Sequence, residues 1–168
     1  AVNSRDGAMG MDGLVSTHPV VRSIDKVEQV SQAFDAITYL KGEAVIRMIE
    51  AYTGAEAWRQ GLQSYMKAHA YGNTTSDDLW RAMEQAAGKP ITAIAHDFTL
   101  QPGVPLIRVE SATCENGETR LSLTQGEYVK DRPAKTPLVC RVPVLAQGLG
   151  GAEAVSALVT DGAATLQV

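Results

Sequence analysis

Hydrophobic positions in the N-terminal part of the chain recur with the period of an amphipathic α-helix. One stripe is spaced i, i+3, i+4, i+7, and it predicts a helix that ends near Gly54. The stripe consists of Val45, Met48, Ile49 and Tyr52. The further helices predicted from similar spacing are 24–36, 58–69, 75–88 and 90–98. This part of the chain is therefore expected to be all helical.

The period changes to two after Gly103, which is the spacing of a β-strand. The predicted strands are 106–110, 120–124, 137–145, 154–159 and 164–168. Asn116 and Gly117 separate the first two and predict a tight hairpin, because both residue types tolerate positive φ. Short strands joined by turns are typical of a β-sandwich or part of one. The expected fold class is α+β, with a helical domain over 1–104 and a strand domain over 105–168.

Net charge and the length of apolar runs argue against two classes of partner. The 168-residue chain has a formal net charge of −4, whereas nucleic-acid-binding domains present a basic stripe. Its apolar runs fall well short of the roughly 20 residues that cross a bilayer. We therefore expect no nucleic-acid partner and no membrane-spanning segment.

Histidine and cysteine residues are too few and too scattered to form a metal site within the chain. The three histidines show no His-Glu-x-x-His pattern, and no Cys-x-x-Cys occurs. Phosphate-binding glycine motifs and Gly-x-Ser-x-Gly are also absent from the sequence. By ligand count we expect no metal ligand here and no self-sufficient active site.

Cysteine usage leaves the cell compartment open. Cys114 and Cys140 are too few for a disulfide-built scaffold. They either pair across a sheet or remain free thiols, and free thiols are the alternative that we favour. We expect a cytoplasmic location, and a periplasmic or secreted one stays open, because any targeting signal would lie upstream of Ala1.

The segment 34–42 carries a family resemblance. It reads F-D-A-I-T-Y-L-K-G and closely resembles the pattern F-D-x-I-x-Y-x-K-G of the aminopeptidase N family of zinc metallopeptidases. The likeness runs from about Arg5 to Val109 through short pieces in the family's order and spacing. These pieces are S-T-H-P-V, G-L-Q-S-Y-M-K, Y-G-N, D-L-W, G-K-P and Q-P-G-V-P. Each piece is weak alone, and together they are specific.

The resemblance implies a catalytic role for Tyr39. In this family two His of H-E-x-x-H and a Glu on the following helix hold zinc, and a tyrosine beyond them donates its phenolic proton to the developing oxyanion. Tyr39 matches that tyrosine, and a phenol keeps its proton at working pH. The alternative is a partly buried core tyrosine at a helix start. Asp35 either caps the turn that holds Tyr39 or is purely structural, and Lys41 has no assigned step.

The resemblance further implies a fragment of a gluzincin-type zinc aminopeptidase. It covers the C-terminal subdomain of a thermolysin-like catalytic domain and the first strands of a partial antiparallel β-sandwich. The zinc ligands and the general base are expected upstream of Ala1, so this chain alone is expected to be inactive. The expected partners are a peptide substrate, from which the parent enzyme removes N-terminal residues, and the remainder of its own catalytic domain.

The alternative function is a non-catalytic helical-plus-sandwich interaction module descended from such an enzyme. A fragment is expected to expose a large apolar face where the rest of the catalytic domain packed. A monomer with low binding of hydrophobic dyes would favour the module.

Overall fold

The computed structural model describes residues 2–133, 139–149, 153–160 and 163–168. Within these residues, helices come first along the chain and antiparallel strands follow. The change of element type coincides with the change of apolar period near Gly103. The expected α+β fold class is therefore confirmed.

The helical part is built from α-helices with two other helical turns between the first pair. The α-helices are α1 Val2–Asp12, α2 Gly42–Thr53, α3 Ala55–Ala68, α4 Ser76–Ala87 and α5 Ile91–Thr99. The turns are a 3₁₀ helix, Val27–Ala33, and a π-helix, Ile37–Lys41. The last four α-helices confirm the helices predicted from apolar spacing. Among the described residues, none of these helices is both long and apolar enough to cross a bilayer.

Local signals set both ends of α4. The backbone N–H of Thr75 donates to the carboxylate of Asp78 at 2.8 Å, as in a capping box. Gly88 ends the helix in the left-handed conformation at φ 62°, which glycine adopts without steric strain. The helix predicted over 75–88 is thus confirmed together with its ends.

The helix predicted over 24–36 is wrong in type and in packing. Only Val27–Ala33 is helical there, and it forms a 3₁₀ helix. Two of its apolar side chains are exposed, Val27 at 83% and Phe34 at 63%. An amphipathic helix gains most of its stability from packing its apolar face, so spacing alone does not sustain one.

Helix α1 was not predicted from the sequence. Gly7 and Gly10 lie within it, and glycine is a poor helix former. Its apolar residues also lack a clear helical stripe. Packing against the π-helix, rather than intrinsic propensity, therefore accounts for α1.

The strands of the described residues form two antiparallel sheets. The strands are β1 Val104–Glu115, β2 Glu118–Tyr128, β3 Val142–Ala146, β4 Val155–Val159 and β5 Ala163–Gln167. One sheet has the order β1-β2-β5, and the other pairs β3 with β4. Asn116 and Gly117, with φ of 53° and 85°, form the two-residue turn between β1 and β2. The predicted hairpin is therefore confirmed. Of the strand predicted over 137–145, positions 137–138 lie outside the described residues.

One hydrophobic core joins the helices to the sheets. Ile49, Met83 and Ile94 enter it from the helices, and Leu123 and Val159 enter it from the strands. Each of the five is at most 2% exposed. The helical and strand parts therefore pack on each other through shared side chains, and the domain division at residue 104 stays a prediction.

Candidate functional site

Tyr39 lies in the π-helix directly before α2, and its side chain is exposed. The N–H of Gly42 donates to the carbonyl of Ile37, the i to i−5 spacing that defines a π-helix. Tyr39 is 60% exposed, and its ring centroid lies 6.3 Å from that of Phe34. Turns of this kind are rare in proteins, and those that occur are often found at functional sites. The alternative of a partly buried core tyrosine does not agree with this exposure.

Asp35 holds the N-terminal end of the turn. Its Oδ1 accepts the N–H of Thr38 at 2.9 Å, and its main-chain carbonyl accepts the N–H of Tyr39 at 3.1 Å. Burial acts to raise the pKa of Asp35, but hydrogen bonds from Thr38 and His18 and the charge of His18 bring it below the usual range. Asp35 therefore caps the turn that carries Tyr39.

His18 connects Asp35 to the chain that precedes the 3₁₀ helix. Its Nε2 lies 2.5 Å from Oδ2 of Asp35, and its Nδ1 lies 2.7 Å from the carbonyl oxygen of Pro19. Both partners are acceptors, so both contacts are hydrogen bonds when each ring nitrogen carries a hydrogen. The side chains of His18 and Asp35 are 20% and 28% exposed. This contact was not foreseen from the sequence, which indicated only a structural histidine.

Lys41 holds the C-terminal end of the turn through a buried ion pair with Asp12, the last residue of α1. Its Nζ lies 2.8 Å from Oδ2 of Asp12, and the two side chains are 7% and 0% exposed. The same ammonium donates to the carbonyls of Gly103 at 3.1 Å and Gln101 at 3.4 Å. Three oxygens thus surround the ammonium, which compensates for its removal from water.

Sequence reasoning assigned no role to Lys41 and missed Asp12. One signal was present, because Lys41 lies four residues from both Ile37 and Val45, which are buried. Residues at this spacing share a helix face. A lysine on an apolar face indicates a buried partner of opposite charge, although it does not say which residue supplies it.

A second buried ion pair lies beside Gly103. Arg132 donates to the two carboxylate oxygens of Glu127 at 2.6 and 3.1 Å, a bidentate contact that raises the pKa of Arg132. Gly103 has φ 101°, and a Cβ there would lie 2.6 Å from Oε1 of Glu127. The N–H of Gly103 donates to Asp12 at 2.9 Å, and its carbonyl accepts from Lys41. This bend therefore requires glycine, for its conformation and for space.

A cavity of about 440 Å³ lies between α1, α2 and the start of β1. Leu40 and Lys41 of the turn line it, whereas Tyr39 does not. Much of the remaining lining is apolar and includes Met9, Val45, Met48 and Phe98. The exposed phenol of Tyr39 is therefore separate from this cavity.

The described residues do not form a metal site. Within 2–133, 139–149, 153–160 and 163–168, no group of three or more His, Cys, Asp or Glu side chains is placed to hold a metal ion. Zinc sites in proteins use three or four such ligands. The zinc ion expected from the resemblance does not fit these residues alone.

Comparison with known proteins shows likeness to peptidases over most of the chain. The sequence model of the Peptidase family M1 domain matches residues 1–98. Tricorn protease-interacting factor F2 of Thermoplasma volcanium is 40% identical over 125 residues, which cover 74% of this chain and 15% of that protein. Aminopeptidase M1-A of Oryza sativa subsp. japonica is 36% identical over 115 residues, covering 68% of this chain and 13% of that protein. Probable aminopeptidase 2 of Sulfurisphaera tokodaii is 35% identical over 147 residues, covering 84% of this chain and 18% of that protein.

The family match includes the turn that carries Tyr39. Residues 34–42 lie inside the segment that matches the family, as do α1 and the ion pair between Asp12 and Lys41. The chain spans only 13% to 18% of the length of the three relatives. The family match extends over more than half of the 168 residues. The chain therefore belongs to peptidase family M1.

Proposed function

We propose that this chain is part of a zinc-dependent aminopeptidase that hydrolyses N-terminal residues from peptides, with Tyr39 as a catalytic residue. Family membership supports peptide hydrolysis, and two relatives with aminopeptidase in their names support the release of N-terminal residues. The main observation in support of a catalytic contribution from this chain is the exposed phenol of Tyr39. It is presented on a turn that Asp35 and Lys41 hold at its two ends.

Tyr39 donates a hydrogen bond to the substrate oxygen that becomes negatively charged. When water attacks the carbonyl carbon of the scissile peptide bond, one electron pair of the C=O bond moves onto the oxygen. A phenolic O–H is neutral at working pH, and its hydrogen bond strengthens as negative charge develops on the acceptor. A donor that is already in place favours this transition state over the bound substrate, because it does not have to reorganise.

The attacking water and the zinc ion belong, in this proposal, to parts of the catalytic domain outside this chain. Phe34, whose ring lies beside that of Tyr39, is 63% exposed, and Val27 and Val30 of the 3₁₀ helix are 83% and 42% exposed. This apolar exposure supports a surface on which the remainder of the domain packs. This chain alone is then expected to have no peptidase activity. The alternative is a non-catalytic interaction module, which is expected to expose less apolar surface and to have no peptidase activity at full length; a monomer with low binding of hydrophobic dyes would favour it.

The test is Tyr39→Phe in the full-length protein, assayed with a leucine anilide. We expect kcat to fall by about 10²–10³-fold, with little change in KM, because the lost hydrogen bond forms mainly in the transition state. Tyr71→Phe is the control, since Tyr71 is fully exposed after α3. Near-normal turnover by Tyr39→Phe overturns the catalytic role of Tyr39. No turnover by the unmodified full-length protein favours the interaction module.

We also propose a cytoplasmic location. Cys114 is an exposed free thiol, and exposed thiols persist best in a reducing compartment. Cell fractionation tests this, and recovery from the periplasm or the medium would overturn it.

A further inference from the structure

We propose that the buried ion pair between Asp12 and Lys41 positions Tyr39 for the reaction. The inference rests on the proposed catalytic role of Tyr39. Lys41 lies two residues after Tyr39 in the same π-helix. A displacement of Lys41 from its buried partners would therefore also displace the backbone of Tyr39. The Nζ of Lys41 is enclosed by Asp12 and two main-chain carbonyls, and the side chain is 7% exposed. Lys41 is therefore a positioning residue, not a catalytic one.

Asp12 makes the ion pair rigid, because its carboxylate also accepts hydrogen bonds from groups other than Lys41. Its Oδ1 accepts the N–H of Gly103 at 2.9 Å and also accepts the hydroxyl of Thr17. Asp12 is 0% exposed. The carboxylate thus joins the end of α1, the π-helix and the bend that leads into β1. A displacement of the turn would break contacts to all three segments at once.

The ion pair is better explained by geometry than by stability. Removing two charges from water offsets most of the attraction between them, so a buried ion pair contributes little net stability while it restricts orientation. A π-helical turn is a rare conformation that persists when its surroundings hold it. Asp35 supplies one of these restraints before Tyr39, and Lys41 supplies the other after it.

The test uses Asp12→Asn/Lys41→Met in the full-length protein. Both charges disappear together, so no unpaired charge is left buried, and Asn can still accept the N–H of Gly103. We expect kcat to fall by about 10²-fold through misplacement of the donor, with KM little changed. Asp97→Asn/Arg141→Met is the control, because that ion pair joins α5 to the residue before β3 and does not contact the turn. Its kcat is expected to stay normal.

The decisive comparison places the same double substitution in a Tyr39→Phe background. If the ion pair acts through Tyr39, the substitution lowers kcat little further there, because the group that it positions is already gone. An equal loss of kcat in both backgrounds would show a general structural role and overturn the inference. Hydrogen exchange of the 168-residue chain gives a second readout, in which the amides of the turn exchange faster in the double variant than in the unmodified chain.

The failures of the two proposals are distinguishable. If Tyr39→Phe retains its kcat, the proposed function of Tyr39 is wrong and the positioning role falls with it. If Tyr39→Phe loses kcat and Asp12→Asn/Lys41→Met does not, only the positioning role is wrong. Should the double variant fail to fold, Lys41→Arg keeps the charge but replaces a compact ammonium with a planar fork. An unchanged kcat in a Lys41→Arg variant whose turn amides exchange faster than those of the unmodified protein would also overturn the inference.

Discussion

The Nε2 of His18 and the Oδ2 of Asp35 lie 2.5 Å apart, although the residues are 17 positions apart in sequence. This contact closes the segment that contains the 3₁₀ helix onto the start of the π-helix. Because Asp35 also caps the turn through Thr38, the contact links the path of the chain to the placement of Tyr39. The exposed tyrosine is therefore held by polar contacts rather than by burial.

Asp35→Asn should destabilise the chain at neutral pH and much less in acid. The pKa of Asp35 is lower in the folded chain, so its contribution to stability is present above the unfolded pKa of about 3.9 and is lost as the pH falls through the folded pKa. Urea unfolding between about pH 7 and pH 2 measures this. Glu153→Gln, at an exposed position, is the control. A stability difference that stays constant down to the lowest pH would contradict the assignment.

The two cysteines should differ sharply in reactivity. Cys114 is exposed and Cys140 is buried, and both are free. Burial, together with the charge of Asp97, raises the pKa of the Cys140 thiol to about 12, so little of the reactive thiolate is present near neutral pH. Iodoacetamide followed by mass spectrometry should add one label to the folded chain and two to the chain in denaturant. Two labels added rapidly to the folded chain would show that Cys140 is accessible.

Ile49→Ala should lower the free energy of unfolding far more than Ile46→Ala, although both residues lie in α2. Ile49 is 0% exposed and Ile46 is 40% exposed. Truncation of a buried isoleucine leaves a cavity and typically costs about 2–5 kcal/mol. Urea unfolding of the two variants provides the comparison, and equal losses would mean that α2 does not pack on this face.

Gly103→Ala should destabilise the chain more than Gly117→Ala. Both glycines have positive φ, at 101° and 85°, so an alanine is strained at either place by about 1–2 kcal/mol. Only at Gly103 does the added Cβ meet another group, Oε1 of Glu127 at 2.6 Å, whereas the space at Gly117 is open. The clash should add about 1–3 kcal/mol. The measurement is the free energy of unfolding of the two variants. Equal values would show that Glu127 and Arg132 move aside freely to make room for the added Cβ.

Much of the helical part could be predicted because its signals are local. The stripe that contains Val45 and Ile49 and the terminal Gly88 of α4 act within a few residues of the chain. The same is true of the Asn116-Gly117 turn. One wrong prediction and one helix that was not predicted show that helical spacing alone does not decide where a helix forms. The segment 24–36 has helical spacing but exposed apolar side chains, and α1 has no clear stripe yet forms a helix.

The sequence by itself determined the order of helices and strands and the hairpin, because each depends on residue types at short spacing. Tyr39 became the candidate catalytic residue through the family resemblance of residues 34–42. Asp35, as a cap of the turn that holds Tyr39, was among the possibilities that the sequence offered, whereas the tertiary structure alone decided the contacts of Lys41 and Asp12. Asp12 meets Gly103 across 91 positions of sequence, and Lys41 meets Gly103 across 62. Contacts of this range leave no periodic pattern in a single chain, because they form only when separate elements pack together.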